Sequence, residues 1–467
     1  RFEVIVPAKR RRNCYRIDDE QMFIEVTRGR SEIYDILTHL TFMYIEAEKI
    51  KNRALNEKGE KTREWQKLEK VATGSVTIDD HNRELAYSYL STILGRTFEE
   101  TEKAQSRFHQ AGGANDLFHV VYWLGKTALE EATLDHDRTI SFTATLRERI
   151  GHHIYGERWA NVIKERLQEH DLLQRPLHVV SANLHGILNS LFAFGALKKM
   201  PGGWKSIEAT ALELSKAKNQ ELNQKVRDYA ESKGVHFIDD PSGTNISVQI
   251  IDTSQLDVKN LAPELGLDEA FIKKEQPVIL VMDYAFGEQA YELMDELLKP
   301  YEHKGIEAPM PVTSISIMGK AGILTGGKGD IMIPDAHIFE GTADNYPIEN
   351  DFSAAEFEGS AVDAYEGPMI TVLGTSLQNR DILRYFKNSS WGVIGLEMEG
   401  AHYQKAIQAA SKIRKNIGGD VTLRYAYYAS DNPLITGGTL ASGSLGAVGV
   451  KPTYLITFNF LRKILNP

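Results

Sequence analysis

One cysteine, Cys14, stands in 467 residues. That excludes an internal disulfide and any cysteine-built zinc site. No apolar run approaches the ~20 residues that cross a bilayer. Positive charge is short: 54 Lys and Arg against 64 Asp and Glu leave a formal charge of −10, the wrong field for general binding along a phosphate backbone. The one basic run, Lys9-Arg10-Arg11-Arg12 with Arg16, reads as a solvated face. What is present is ordinary for a folded chain, with 42% hydrophobic and 25% charged residues, enough to bury a core and to exclude wholesale disorder. The length allows two or three domains at roughly 150 residues each. The chain opens on Arg1 rather than Met and shows no signal-peptide pattern. The expectation is a soluble cytoplasmic protein with no nucleic-acid and no membrane partner.

The two halves differ in texture. Residues 1–244 read as a mainly α-helical domain of unassigned role. Ser31 is placed to cap a helix whose apolar positions Ile33, Ile36, Leu37, Leu40, Met43, Ala47 and Ile50 recur every three or four residues. Helical periodicity returns in Leu85–Leu94, Leu117–Leu134, Trp159–Leu173 and Ile207–Ser232. Beyond a loop at Asp239–Asn245, short apolar runs of strand length take over: Ile246–Asp252, Val278–Met282, Val312–Met318, Asp330–Pro334, Met369–Leu373, Gly392–Leu396 and Leu423–Tyr428. Helical patterns such as Gln289–Leu298 and Gly400–Arg414 lie between them. Strands alternating with helices predict an α/β catalytic domain over 245–467, with ligands beyond the carboxyl ends of its strands.

Three segments of that domain carry chemistry. In Met318-Gly319-Lys320-Ala321-Gly322 a strand is expected to end in a Gly-x-x-Gly turn, which would expose backbone N–H groups to an anion or a sugar. On these residues alone a tight turn is the stronger reading, since glycine turns after strands are common. In Gly395-Leu396-Glu397-Met398-Glu399-Gly400 two carboxylates flank a methionine, and alternation along an extended backbone sends only one into a given pocket. A carboxylate is the natural bidentate acceptor for vicinal ribose hydroxyls, although Glu also favours a helix's first turn. In Ala429-Ser430-Asp431-Asn432-Pro433-Leu434 an Asp ends a strand. It can start a turn or, in a desolvated pocket, hold a proton as general acid.

Taken together, these segments resemble the purine nucleoside phosphorylase and nucleosidase superfamily over roughly residues 246–467, and AMP nucleosidases most of all. The resemblance implies a nucleoside-phosphorylase-like α/β/α fold and ribose hydroxyls held by Glu399, with Glu397 beside it and Met398 against the sugar. It further implies Asp431 donating toward purine N7, with Ser430 and Leu377 at the base. The partner would be a small purine nucleotide or nucleoside, and the assembly a homo-oligomer. The chemistry needs no metal and no organic cofactor.

Breaking a purine N-glycosidic bond requires a neutralised leaving base and a stabilised ribosyl cation-like transition state. The attacking group is where the sequence departs from the phosphorylases. They hold phosphate with an Arg before the glycine turn and a Ser within it, whereas Ile317 and Lys320 stand here. Hydrolysis is therefore favoured, with Glu288 as water-activating base and Asp283 as runner-up. Lys320, with Gly319, would meet a phosphate as a point charge. Two alternatives remain: a phosphorylase with a relocated phosphate site, and a catalytically silent nucleotide sensor. Of 14 histidines, 11 precede residue 245, yet neither Asp135-His136-Asp137 nor His152-His153 has the spacing of a helical metal motif. No metal site is expected.

Overall fold

The computed structural model describes residues 2–5, 12–110, 116–134, 137–149, 153–200, 204, 206–240, 242–303, 305–340, 342–374, 379–435 and 445–466. The basic run at Lys9–Arg11 lies outside them, as does Leu377. Two compact units emerge. One comprises Arg1–Glu25 with Asp35–Glu148, the other Val26–Tyr34 with Arg149–Pro467.

In the first unit, β1 (Glu3–Ile5), β2 (Asn13–Arg16) and β3 (Met22–Glu25) form an antiparallel meander. Helices Arg63–Ala72, Arg83–Leu94, Phe98–Gln110 and Leu117–Leu134 follow. Their apolar stripes bury Trp65, Leu68, Leu90, Phe118 and Tyr122 in one cluster with Ile50 and Ala54.

The second unit is built on a ten-stranded sheet. Its strands are β4 (Leu177–Ser181), β5 (Val235–Ile238), β6 (Val248–Asp252), β7 (Val278–Met282), β10 (Val312–Ile323), β11 (Ile331–Phe339), β12 (Asn345–Pro347), β13 (Ala364–Thr371), β14 (Gly395–Glu397) and β15 (Thr422–Asp431). A separate hairpin, β8 (Tyr301–His303) with β9 (Ile306–Ala308), stands apart from it. The strands β10, β4 and β7 run parallel, while β6 and β5 continue antiparallel. Strands β10, β15, β11, β13 and β14 pair in a closed circuit that returns to β10, which removes free edges around this part of the sheet.

Side chains of each buried strand alternate between two cores, as period-2 geometry requires. In β7, Val278, Leu280 and Met282 meet helices Ile154–Glu169, Gln289–Leu297 and Gly400–Gln408. Ile279 and Val281 meet helices Leu184–Leu197, Gln220–Glu231 and Ala447–Leu465 on the other face. The result is mixed α/β in three layers.

Four sequence expectations are corrected here. The division falls at 148/149 rather than 244/245, because β4 and β5 are strands of the same sheet as β7 and β10. The Asp239–Asn245 loop joins the antiparallel neighbours β5 and β6. There Asp240 accepts backbone N–H bonds from Ser242 (2.8 Å), Gly243 (3.2 Å) and Asn245 (2.6 Å), so the turn signal marks a hairpin. Ser31 does not cap its helix, which begins at Gly29; its hydroxyl accepts the N–H of Glu288 at 2.8 Å. Finally, β10 does not end at Met318 but runs through Gly319 and Lys320, paired with Tyr427 and Tyr428 of β15. Gly319 is glycine because the Tyr427 ring covers it where a Cβ would stand.

Candidate active site

Register brings the two most specific motifs together. Gly322 of β10 pairs with Leu396 on one side and Asp431 on the other. The Glu-Met-Glu and Ser-Asp segments therefore lie two strand spacings apart, roughly 10 Å. Leu434, just past Asp431, packs against the apolar cluster that holds Met398, and Phe286 joins it. Met398 itself is buried.

Asp431 is 7% exposed. Burial pushes its carboxyl above the ordinary 3.8, with the Ser430 hydroxyl and the charges of Lys320 and Lys328 pulling part of the way back. The Ser430 hydroxyl lies 3.0 Å from the Ala321 carbonyl oxygen and also contacts Asp431 Oδ1. One hydroxyl hydrogen cannot serve both acceptors, so a protonated Asp431 fits this contact better than an ionised one. Asp431 Oδ2 is buried with no hydrogen-bond partner among the described residues. Such an orphan is costly unless a ligand completes it.

The two glutamates of the motif separate as alternation demands. Glu397 is buried, and the Thr371 hydroxyl donates to its Oε1. The N–H groups of Glu399 (2.5 Å) and Gly400 donate to its Oε2. Burial nonetheless raises its carboxyl to about 7. Both oxygens are thus engaged at the start of helix Gly400–Gln408. Glu399 precedes that helix, and its Oε1 accepts the Gly287 N–H at 2.8 Å. This contact ties the motif to the loop after β7. Nearby, the Tyr403 hydroxyl meets Ser181 Oγ at 2.9 Å, joining the carboxyl end of β4 to the same helix.

Glu288 lies next to Gly287 and is held on several sides. Arg30 Nε sits 3.0 Å from each carboxylate oxygen, its Nη2 donates to Oε1, and its main-chain N–H donates to Oε2 at 3.0 Å. Burial raises the Glu288 carboxyl, but the Arg30 contacts outweigh it and the net direction is below the ordinary range. Arg30 was invisible to sequence reasoning: it sits 258 residues away in the chain, and no motif surrounds it. Asp283 follows β7 directly, and its carboxylate accepts the Tyr284 N–H at 2.9 Å. Lys320 is exposed on β10, and its charge acts on Asp431.

Among the described residues, one group has donor atoms close enough to share a metal ion: His153, Asp295 and Glu296, within 4.8 Å of one another. Each already has a partner. Glu296 faces His153 and Lys299, and Asp295 pairs with Arg414 at 2.6 Å. A cation would have to displace these charges.

A family model described as a family of unknown function (DUF6909) matches residues 1–200 and 209–466. No curated protein matches the chain. Among solved structures, the Campylobacter jejuni 5′-methylthioadenosine/S-adenosyl homocysteine nucleosidase is similar at 10% identity, covering 63% of this chain and 100% of that one at a TM-score of 0.36. The Helicobacter pylori futalosine hydrolase is similar at 10% identity, with 62% and 98% covered and a TM-score of 0.35. The Bacteroides thetaiotaomicron AMP nucleosidase is similar at 13% identity, with 66% and 99% covered and a TM-score of 0.33.

Proposed function

The chain belongs to the family of unknown function DUF6909, whose description assigns no activity, and we propose that it hydrolyses the N-glycosidic bond of a purine nucleotide or nucleoside, AMP foremost. One observation carries the reading. A buried Asp431, raised by burial and with one oxygen unpartnered among the described residues, stands two strand spacings from a Glu-Met-Glu motif.

In this reading Asp431 protonates the base at N7 as the C1′–N9 bond breaks, so the purine leaves neutral. Ser430 supports that carboxyl, and Leu377 lies in the stretch assigned to the base. Glu399 holds the ribose hydroxyls while Gly287 fixes one of its oxygens. Met398 packs against the sugar. Glu288 takes a proton from the attacking water, whose oxygen bonds to C1′, so the products are free purine and the pentose or its 5-phosphate. Lys320, with Gly319, meets phosphate. Asp431→Asn keeps the volume and removes the acid. Turnover of AMP, read as free base by chromatography, should drop by about 10²–10⁴-fold with an unchanged unfolding curve. Undiminished release would remove Asp431 from the mechanism.

A further inference from the structure

Glu288 occupies an anion site. Its carboxylate receives the main-chain N–H of Arg30 and the Arg30 guanidinium, both from the first turn of helix Gly29–Ala54. That end of a helix carries partial positive charge and unsatisfied N–H donors, the arrangement that binds phosphate groups. The strap fits closely: a Cβ on Gly29 would stand 2.7 Å from Glu292 Oε1, and Ser31 holds the Glu288 N–H at 2.8 Å. The two partners differ sharply in exposure. The Glu288 side chain is 13% exposed, whereas that of Arg30 is 76% exposed, so a ligand reaching Arg30 meets the guanidinium from solvent. Nε and Nη2 are the guanidinium nitrogens directed at Glu288, and Nη1 has no acceptor among the described residues.

We propose that Arg30 is a further specificity-determining residue for a 5′-phosphate, in addition to Lys320: the phosphate competes with Glu288 for the guanidinium and thereby releases Glu288 to contact the attacking water. The inference rests on the hydrolase reading and deepens it. With the fork in place, both carboxylate oxygens are covered by Arg30 donors, and the group is a poor proton acceptor. A phosphate is the stronger partner, because it carries more charge and matches the planar fork in two-point contact. Once Arg30 turns to it, Glu288 keeps Glu292, Tyr291 and His402 as charged or titratable neighbours. The Arg30 main-chain N–H stays on Oε2, but with the guanidinium gone burial acts to raise the proton affinity of Glu288, which favours abstraction from water. A nucleoside lacks the phosphate and leaves the base covered. Discrimination thus comes from unmasking the base as well as from added contact.

The test compares wild type, Arg30→Ala and Arg30→Lys. Free-base release from AMP and from adenosine is measured alongside calorimetric titration with ribose 5-phosphate, which needs no turnover. For Arg30→Ala, kcat/KM should fall at least tenfold with AMP and rise with adenosine, and ribose 5-phosphate binding should be lost. Arg30→Lys keeps the charge without the fork and should lie between. Equal changes with both substrates, or undiminished ribose 5-phosphate binding by Arg30→Ala, would overturn the inference while the hydrolase reading stands. A wild type that releases no base yet binds ribose 5-phosphate through Arg30 would overturn the hydrolase reading and the unmasking with it, leaving only the anion site.

Discussion

Glu397 offers a perturbation whose sign reverses with pH. Its Oε1 accepts the Thr371 hydroxyl, and its Oε2 accepts the N–H groups of Glu399 and Gly400. Replacing it with Gln keeps the shape and one acceptor. The amide oxygen can stay on the two N–H groups, while the amide nitrogen faces Thr371 Oγ1, which already receives the Ala401 N–H at 3.0 Å. A hydroxyl oxygen has two lone pairs, so the loss is close to one hydrogen bond, about 1 kcal/mol.

Against that stands the charge. Burial raises the Glu397 carboxyl from 4.5 to about 7 in the folded protein. A folded value above the unfolded one means the contribution is fully present below pH 4.5 and is lost as pH rises through 7. At ~1.4 kcal/mol per pH unit the loss is about 3 kcal/mol. Wild type should therefore exceed Glu397→Gln in stability by about 1 kcal/mol at pH 4, lose that margin near pH 5 and fall below it by about 2 kcal/mol at pH 8. Urea midpoints of both proteins across that pH range would show the crossing. A difference that stays constant with pH would refute the assignment of a buried, strained carboxyl at this position.

Two further predictions concern the same motif and its neighbour strand. Gly400→Ala places a methyl 2.6 Å from the Tyr427 hydroxyl and closer still to His337 Nε2. With His337 fully buried, thermal unfolding should show a loss of about 1–3 kcal/mol, and an unchanged midpoint would show that the close approach is relieved at no cost. Lys320→Ala removes a charge that favours ionised Asp431, so Asp431 should keep its proton to higher pH and the alkaline limb of kcat should move upward. The same variant should weaken AMP more than adenosine, and equal effects would exclude a phosphate role for Lys320.

Much of the sheet was readable because its strands are buried on both faces and appear as short unbroken apolar runs. The apolar run Val278–Met282 coincides with its strand to the residue, and the helical pattern Leu117–Leu134 with its helix. Leu177–Ser181 has the same five-residue burial, but it lies among helices in the sequence, and its partners β7 and β10 come about 100 and 135 residues later. Nothing local announces such pairings, so the change of texture near residue 245 falls inside the sheet rather than between the two units. The Glu-Met-Glu alternation correctly separated two carboxylates, while which one faced inward depended on Thr371, a residue on another strand. The Gly-x-x-Gly stretch misled for a related reason. Glycine there answers the Tyr427 ring across the sheet rather than a turn in its own chain. Arg30 and Ser31 were unreadable as site residues, since only tertiary folding sets them on Glu288.

Glycosidic hydrolysis is tested most directly by chromatographic detection of free base. AMP, adenosine, methylthioadenosine and inosine would each be incubated with the full chain, first without phosphate and then with it. Base release is expected in phosphate-free buffer, fastest with AMP and with no gain on adding phosphate. Release that requires phosphate and yields ribose 1-phosphate would contradict it and make Glu288 the wrong base. Nucleotide binding with no base release under either condition would contradict it entirely.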